Sequence, residues 1–531
     1  MDSRDSYIAQ LEQQNKELLK QVSALSEQIV SLNRQIENLT EVILQMRRDK
    51  FGPSSEKTAR NELDGQLHMP QIFNEIETEV NEAEKESCKI TREGKIRSKS
   101  KGTRKELILN DIPIEERIFG VSPENLICPS CGSRLKEIGT VFVRDELEYI
   151  PAQLQIIRYY QTSYECSKCK HTGHPLIAKA PVPQSLLPHS LASASSVANV
   201  IYQKYVNAMP LYRQEQDWEN LGINLSRATM ANWCIRCNEE YFSHVVGKLR
   251  SELLSRDIVH CDETPVQVLK EGGRKPQSKS YMWLYRTGND GKAPVILYDY
   301  KPSRSGENAA GFLQDFKGYV HSDGYSGYNK LAGIVRCGCW AHLRRKFIEA
   351  IPGGSSSGLK THAEIGRDYC DELFSIERRL DALSPAERYA KRLELERPVL
   401  DGFWNWLESL NPLSGSALGR AVTYALNQKP YMENYLLDGR LAISNNAAEN
   451  AIRPFTVGRK NWLFSDTARG AEASAAIYSI VETAKANGLN VYSYFKYLLE
   501  RMTDCNWHSH PEFLDGMMPW SSAVQEACRQ K

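Results

Sequence analysis

The stretch from residue 257 to residue 269 reads Asp257-Ile258-Val259-His260-Cys261-Asp262-Glu263-Thr264-Pro265-Val266-Gln267-Val268-Leu269, and its apolar and β-branched residues are typical of a strand. Two further strand-like stretches follow at Ser280–Thr287 and Pro294–Tyr300, and glycine-containing turns separate them. A helical stretch, Glu307–Phe316, then leads to another predicted strand, Gly318–Ser322. Strands followed by alternating helices and strands predict a mixed α/β sheet.

Three acidic residues lie at the predicted ends of such elements. Asp262 follows the apolar run from Ile258 to Cys261, Asp323 follows a second apolar run, and Glu449 lies at the start of a helical stretch. Each has a purely structural interpretation: a strand cap for Asp262, a turn for Asp323-Gly324, and a capping box for Asn446 and Glu449. Taken singly, the acids therefore predict no chemistry.

Taken together, the three acids favour a metal site. Carboxylates at two adjacent strand ends and on a helix packed there can converge on divalent cations, and hard oxygen ligands suit Mg²⁺ or Mn²⁺. Two such ions about 3.5–4 Å apart can activate an attacking oxygen and stabilise a leaving oxygen in phosphodiester chemistry.

Composition limits the class of protein. The 531 residues correspond to about three to four domains. Lys plus Arg number 67 against 66 Asp plus Glu, so a uniformly basic coat is excluded and a nucleic-acid surface has to be local. Without an apolar run of 18 residues and with a polar N-terminus, we expect a cytoplasmic protein with no membrane partner.

The first 50 residues carry a heptad pattern. Ile8, Asn15, Val22, Ile29, Ile36 and Ile43 occupy a positions, and Leu11, Leu18, Leu25, Leu32, Leu39 and Met46 occupy d positions. Branched residues at a with Leu at d favour a parallel two-stranded coiled coil, in which Asn15 would set the register. Residues 1–50 are therefore predicted to form a homodimer; one helix packed on its own chain is the alternative.

Residues 51–110 are interpreted as a charged linker. Residues 75–86 hold six Glu and one Lys, whereas residues 88–105 hold eight Lys or Arg and one Glu. High local charge with few aromatic residues predicts little stable structure. The basic run is either a solvated tether or a nonspecific phosphate contact.

Two C-x-x-C pairs, Cys128 with Cys131 and Cys166 with Cys169, lie 34 residues apart. Four thiolates of this spacing predict one structural Zn²⁺ in a module spanning residues 111–180, and the β-rich stretches Thr140–Tyr149 and Gln153–Tyr164 account for the long gap. Unligated buried cysteines, or His171 and His174 as substitute ligands, are the alternatives. A third pair, Cys234 and Cys237, lies on a helical pattern and is interpreted as core.

Residues 181–250 read as helices. Ser190–Tyr205 and Leu211–Leu221 are followed by Gly222 and by a second helix that Ser226 caps. A helix, a glycine turn and a capped helix fit a helix-turn-helix, with Arg227 and Asn232 as candidates to contact DNA. An ordinary helix pair is the alternative.

The ordered motifs of the chain resemble those of the insertion sequence 66 family of transposases. They comprise the N-terminal zipper, Arg48-Asp49-Lys50-Phe51-Gly52 with Ser55-Glu56-Lys57, the four cysteines, Asp262-Glu263-Thr264-Pro265, Ser322-Asp323-Gly324-Tyr325, and Cys339-Trp340-Ala341-His342-Leu343-Arg344-Arg345-Lys346-Phe347. The most specific run is Ser444-Asn445-Asn446-Ala447-Ala448-Glu449-Asn450-Ala451-Ile452-Arg453-Pro454-Phe455, continued by Gly458-Arg459-Lys460-Asn461-Trp462. Asn450 departs from the family, in which Arg is common at that place.

The resemblance implies a multidomain α+β protein with a ribonuclease H-like catalytic core. The core would span residues 251–347 and 441–490, an all-helical insertion would fill residues 348–440, and a C-terminal helical region would fill residues 491–531. Apolar spacing in Ala363–Leu380, Pro385–Leu410 and Gly419–Leu437 independently predicts helices in the insertion.

The resemblance also implies the chemistry. Asp262, Asp323 and Glu449 would be the catalytic triad that binds two Mg²⁺ or Mn²⁺ ions, cleaves the DNA at the element ends and joins the freed 3′-OH to target DNA. The partners would be double-stranded DNA and small companion proteins of the same element. A ribonuclease H-like nuclease or resolvase without strand transfer is one alternative, and a catalytically inert, dimeric, zinc-containing DNA-binding regulator is the other.

Further basic residues are candidate DNA contacts. Arg453, Arg459 and Lys460 follow Glu449 and either hold phosphate or form a solvated helix face. His342 and Arg345 are interpreted as groups that support the metal ligands or contact DNA, since Cys339 and His342 lack the further ligands of a zinc site. Trp340 is interpreted as core.

Overall fold

The computed structural model describes residues 13–29, 32, 154–165, 177–179, 181–351, 360–503, 505 and 509–530. The chain divides into two compact units, residues 1–52 with 153–530, and residues 53–152 with Lys531. Everything described here belongs to the first unit. The predicted linker and the cysteines Cys128, Cys131, Cys166 and Cys169 lie outside the described residues. No helix in the described ranges combines the length and apolarity required to cross a bilayer.

The segment before residue 181 contains a helix and a small antiparallel sheet. Residues 13–29 are helical. Strands β1 (Ser163–Glu165) and β2 (Ile177–Lys179) pair with Tyr164 opposite Ala178. The strand predicted at Gln153–Tyr164 is therefore wrong for residues 154–162, which lie outside regular structure.

Four helices form the next region: α1 (Ala194–Ile201), α2 (Leu211–Asn220), α3 (Arg227–Cys237) and α4 (Ser243–Leu254). Short π-helical segments extend α1 and α3 at Tyr202–Val206 and Asn238–Phe242. The cap and the turn predicted from the sequence are both present. The Ser226 hydroxyl accepts from the Thr229 amide, and Gly222 takes a positive φ of 90° between α2 and α3.

The central sheet begins with three antiparallel strands, β3 (Ile258–Lys270), β4 (Lys279–Thr287) and β5 (Ile296–Lys301). Helix α5 (Gly306–Phe312) leads to β6 (Gly318–His321), which is followed by β7 (Ile334–Cys337) and helix α6 (Trp340–Ala350). Strand β6 pairs in parallel with both β3 and β7. The mixed sheet that the sequence predicts is thus present.

The segment after α6 is helical. Its helices are α7 (His362–Leu380), α8 (Pro385–Leu395), α9 (Arg397–Ser409) and α10 (Ala417–Met432). The stretch Pro385–Leu410 is helical, as predicted, but forms two helices. The second begins at Arg397 with Pro398 in its first turn, where the missing amide hydrogen is tolerated. The helix predicted to reach Leu437 ends at Met432 and continues as a 3₁₀ turn.

The chain then returns to the sheet through helix α11 (Asn446–Trp462), strand β8 (Ser465–Thr467) and helix α12 (Ala468–Ala486). The sheet order is β5-β4-β3-β6-β7, and β8 pairs with the far end of β3. Two hydroxyls of α12 cover the β5 edge: the Tyr298 amide donates to Ser479 at 2.8 Å and the Ile296 amide to Thr483 at 3.0 Å.

Helices α13 (Val491–Thr503) and α14 (Ser522–Cys528) close the chain, with a 3₁₀ segment between them. The buried apolar residues form two clusters. The larger one joins the sheet to α1–α4 and α11–α14, and the other joins β7 and α6 to the helices of residues 360–432. The helical segment therefore has a core of its own that meets the sheet beside β7.

Candidate active site

Asp262 lies within β3, not at its end as the sequence suggested. Strand β3 pairs with β6 at residues 258–260 and with β8 at Val268 and Lys270, so the described sheet leaves one side of β3 unpaired between these points. Pro265 lies in this gap, where its missing amide hydrogen costs no ladder bond on that side. The polar run that looked like a strand end lies at this gap.

Asp262 and Asp323 occupy corresponding places on neighbouring parallel chains. His260 pairs with His321, and the two imidazole rings stack with centroids 4.3 Å apart. Asp262 and Asp323 each follow these histidines by two residues, the spacing at which side chains on extended backbone share a face. Both pairs are separated by 61 residues, and Asp323 lies two residues beyond the last residue that β6 pairs with β3.

Glu449 reaches the same region from the first turn of α11. The N-cap of α11 is Asn445, whose side chain hydrogen-bonds the His260 ring at 3.0 Å and donates to the Cys261 carbonyl at 2.7 Å. Glu449 makes no capping bond. Its carboxylate instead faces His342 at 3.4 Å and Arg345 at 3.3 Å. The capping-box alternative is therefore wrong, because the helix begins one residue too early for it.

The surroundings of Asp262 concentrate negative charge. Burial raises the pKa of Asp262 well above its ordinary value, and the carboxylates of Glu263, Asp323 and Glu449 raise it further. The three acids predicted from the sequence are thus close enough to act on one another. Each of them lies on a different segment, and the side chains of Asp262 and Glu449 are half-buried.

Glu449 lies beside His342 and Arg345 of α6 and beside Cys339, which precedes that helix. Within the described part of the chain, Cys339, His342 and Glu449 bring ligand atoms within 4.8 Å of one another, and the three predicted acids do not form such a group. Burial lowers the pKa of His342 although Glu449 and Asp323 oppose the shift, which favours the neutral imidazole. Trp340 is fully buried, as predicted, and donates to the Met432 carbonyl.

Sequence reasoning missed Arg336, a buried arginine in β7. Its guanidinium donates to the Ser322 hydroxyl at 2.9 Å, to the Asp323 carbonyl and to the Gln428 amide oxygen at 3.0 Å. The segment that carries Asp323 is therefore fastened both to β7 and to helix α10. The only signal in the sequence is an arginine inside an apolar strand, Ile334-Val335-Arg336-Cys337.

Sequence reasoning also missed Glu263. Its buried carboxylate accepts from Arg304 at 2.7 Å and from the Tyr328 hydroxyl at 2.5 Å. Side chains alternate across a strand, so Glu263 and Asp262 have different surroundings although they are neighbours in sequence. No pattern in the sequence separates the two acids.

The predicted DNA contacts lie in several places. Arg227 and Asn232 are exposed on α3, and Lys460 is exposed in the last turn of α11. Arg453 and Arg459 are half-buried on α11, and Arg459 donates to the Thr264 hydroxyl at 3.3 Å beside the gap in β3. Cys234 and Cys237 are buried, as the core interpretation predicted.

Four family descriptions match segments of this chain. Residues 189–473 match the family described as Transposase IS66 family, and residues 125–170 match the zinc-finger binding domain of transposase IS66. Residues 479–520 match the IS66 C-terminal element, and residues 38–117 match a family described as Transposase C of IS166 homeodomain.

Relatives from Sinorhizobium fredii (strain NBRC 101917 / NGR234) cover nearly the same length. The uncharacterized protein y4qI is 27% identical over 91% of this chain and 88% of its own. The uncharacterized protein y4hP is 27% identical over 90% of this chain and 87% of its own. Since the first family match alone spans more than half of the residues, the chain belongs to the IS66 family of transposases.

Proposed function

We propose that this transposase cleaves DNA at the ends of its element and joins the freed 3′-OH to target DNA, with Asp262, Asp323 and Glu449 as the catalytic acids. One observation supports the proposal: His260 of β3 pairs with His321 of β6, each two residues before an acid of the triad, and the Asn445 side chain joins the helix of Glu449 to β3. Three acids from distant segments, 61 and 126 residues apart, would thereby lie near one gap in the sheet.

The proposal includes a ribonuclease H-like core. Its support is the sheet order β5-β4-β3-β6-β7, with three antiparallel strands followed by two parallel ones, and with the helical segment between β7 and α11. In this interpretation residues 348–440 interrupt the core and α11 completes it with Glu449.

The residues at the gap fit a pair of divalent cations. Carboxylate oxygens suit Mg²⁺ or Mn²⁺, and the mutual repulsion that raises the pKa of Asp262 is a cost that bound cations would remove. Ligands of two ions about 3.5–4 Å apart spread farther than ligands of one ion, so the three acids need not meet at a single point. When bound, the cations would supply charge neutralisation at the scissile phosphodiester.

The chain's own groups hold this arrangement. Arg336 fastens the backbone of Asp323, and His342 and Arg345 border the two oxygens of Glu449. Arg453, Arg459 and Lys460 extend along α11 from Glu449 and would bind the phosphates of the cleaved strand. Their positive charge would position DNA without reading its sequence.

Cleavage of the element's own ends tests the assignment. Asp262→Asn, Asp323→Asn and Glu449→Gln each remove a ligand charge but keep the size of the side chain. Each variant should lose Mg²⁺-dependent cleavage by at least about a hundredfold and keep end binding. Glu472→Gln, on α12, is the matched control. Cleavage at the wild-type rate by Glu449→Gln would disprove the triad.

A substrate with a preformed 3′-OH separates the transposase from a nuclease or resolvase. Joined products with a target plasmid are expected, whereas a nuclease would give none. An inert regulator would neither nick nor join DNA in Mg²⁺ but would still bind the ends.

The remaining parts of the proposal concern assembly and binding. Cys128, Cys131, Cys166 and Cys169 all fall within the matched zinc-finger segment, which supports one structural Zn²⁺. Residues 1–50 would form a dimeric coiled coil, and α2 with α3 would bind DNA through Arg227 and Asn232. Small companion proteins of the element would join this complex.

A further inference from the structure

Cys339, His342 and Glu449 form a cluster whose ligand types differ from those of the triad. Cys339 precedes α6, His342 lies in its first turn, and Glu449 approaches from the first turn of α11. One sulfur, one nitrogen and one oxygen atom lie within 4.8 Å of one another. The cluster joins α6 to α11.

The facing atoms of His342 and Glu449 are buried without a hydrogen bond. The His342 Nδ1 and Glu449 Oε1 atoms have no hydrogen-bond partner within the described residues, and they lie 3.4 Å apart. Ligand atoms at the corners of a tetrahedral zinc site, with bonds of about 2.0–2.3 Å, are about 3.3–3.6 Å from one another. The separation thus matches two ligands of one ion.

The sulfur of Cys339 is surrounded by amide hydrogens. Burial raises the pKa of the Cys339 thiol to about 12, whereas the Asn445 amide, which donates to the sulfur at 3.2 Å, and the His342 and Ala341 amides of the α6 N-terminus lower it. Amide donors and a helix N-terminus stabilise the negative sulfur that a metal requires. The negative charge of Glu449 opposes the thiolate in the absence of a cation.

We propose that Cys339, His342 and Glu449 bind a transition-metal ion of the Zn²⁺ class, separate from the ions of the triad but sharing Glu449 with them. A thiolate and an imidazole select such an ion over Mg²⁺, which prefers oxygen ligands only. Three protein ligands leave one position open. The sequence alone indicated only Cys339 and His342, and the fold supplies the third ligand.

A predicted consequence follows from the shared carboxylate and rests on the proposed function. Glu449 engaged by Zn²⁺ would be withdrawn from the triad, so micromolar Zn²⁺ should inhibit Mg²⁺-dependent cleavage by the wild type and inhibit Cys339→Ser much less. Equal inhibition of both proteins would overturn this consequence.

Metal content of the full-length protein tests the site directly. The protein is stripped, reloaded with Zn²⁺ and freed of excess, and zinc per chain is measured. Cys339→Ser and His342→Ala should each hold one equivalent less than the wild type. Cys337→Ser, a buried cysteine outside the cluster, should hold the wild-type amount. Unchanged zinc content in Cys339→Ser and His342→Ala would overturn the proposal.

The absorption spectrum of bound Co²⁺ provides a second measurement of the site, for use where a variant in the zinc measurement folds poorly. In a variant whose Cys128, Cys131, Cys166 and Cys169 are all changed to Ser, Co²⁺ bound by the cluster should still give a thiolate charge-transfer band, and adding Cys339→Ser should abolish it. Neither measurement uses DNA. If the triad variants abolish cleavage but Cys339→Ser changes neither the zinc content nor the cobalt spectrum, this inference fails and the proposed function stands. If Cys339→Ser lowers the zinc content but the triad variants still cleave DNA, the proposed function fails and the zinc site stands.

Discussion

Asp262 and Glu263 are adjacent carboxylates with opposite electrostatic surroundings. Burial raises the pKa of both side chains. Glu263 faces Arg304 and the Tyr328 hydroxyl, so its charge has a cationic partner. Asp262 has other carboxylates as neighbours, and the Glu263 amide is its hydrogen-bond donor. A bound cation would therefore offset the repulsion at Asp262, whereas Glu263 already has a cationic partner.

The metal-free protein should become more stable when Asp262 is neutralised. A carboxyl group with a raised pKa costs free energy when it ionises, so Asp262→Asn should raise the unfolding temperature at pH 7 by a few degrees, on the order of 1 kcal/mol. Mg²⁺ should then stabilise the wild type more than the variant. Calorimetry with and without Mg²⁺ measures both effects.

A matched exposed carboxylate provides the control for this measurement. Asp466 pairs with Lys270 at the surface, so Asp466→Asn should change stability by less than about 0.5 kcal/mol in either condition. A lower unfolding temperature for metal-free Asp262→Asn would contradict the electrostatic argument.

At the scale of elements, helix α10 meets the Asp323 segment at Gly324. A Cβ atom added to Gly324 would lie 2.5 Å from the Tyr424 ring, and the Tyr424 hydroxyl is buried without a hydrogen-bond partner in the described residues. Lys346 of α6 lies over the same ring at 5.1 Å. Helix α10 thus borders the Asp323 segment directly.

Gly324→Ala should displace Tyr424 or the Asp323 segment. We expect a loss of about 1–3 kcal/mol in stability and lower cleavage, since overpacking forces a buried neighbour to move. Tyr424→Ala should remove the clash, so the double variant should be more stable than additivity predicts. Urea unfolding of the four proteins measures this coupling.

Gly311→Ala on α5 is the control for Gly324→Ala, because an added Cβ there has no neighbour within 4 Å. Additive effects of Gly324→Ala and Tyr424→Ala would mean that the contact does not constrain the Asp323 segment.

The elements differ in how well the sequence predicts them. Local patterns determine β4, β5 and the Ser226 cap, and these were predicted within two residues. The extent of β3 was predicted within one residue as well, but Asp262 was wrongly placed at a strand end, because the polar run that it begins continues the strand through pairing with β4. Asn445 and Arg336 contact residues far away in sequence, so their roles follow from the tertiary fold and no local pattern contains them.

At the scale of the whole molecule, one buried network attaches the helical insertion to the chain that returns to the sheet. Arg392 is fully buried and donates to Glu377 and to the carbonyls of Tyr435, Asp438 and Leu441. Glu396 lies beside it and accepts from the Tyr435 hydroxyl at 2.7 Å. The segment that leads to Glu449 is thereby held from the insertion side.

Glu396 should make the stability of the protein depend on pH. Burial, aided by the charge of Glu377, raises its pKa from 4.5 to about 8. Between these values the folded state keeps a proton that the unfolded state has lost, so stability is full below pH 4.5 and declines as pH rises to about 8. Glu396→Gln should raise the unfolding temperature more at pH 8.5 than at pH 5.

The comparison with wild type at each pH isolates this group from other titrations. Glu394→Gln, an exposed neighbour paired with Lys391, should show no such pH dependence. An equal shift for Glu396→Gln at the two pH values would refute the raised pKa.

The last prediction concerns assembly through the N-terminal helix. Leu18, Val22, Leu25, Ile29 and Leu32 are each 56–58% exposed in the single chain. Apolar side chains repeated at a and d positions are a seam that a second helix would bury. Val22→Glu with Leu25→Glu places charges in that seam, so this variant of the full-length protein should sediment as a monomer and the wild type as a dimer. Ser23→Glu adds a charge outside the seam and should remain dimeric; a wild type that sediments as a monomer would exclude the coiled-coil dimer.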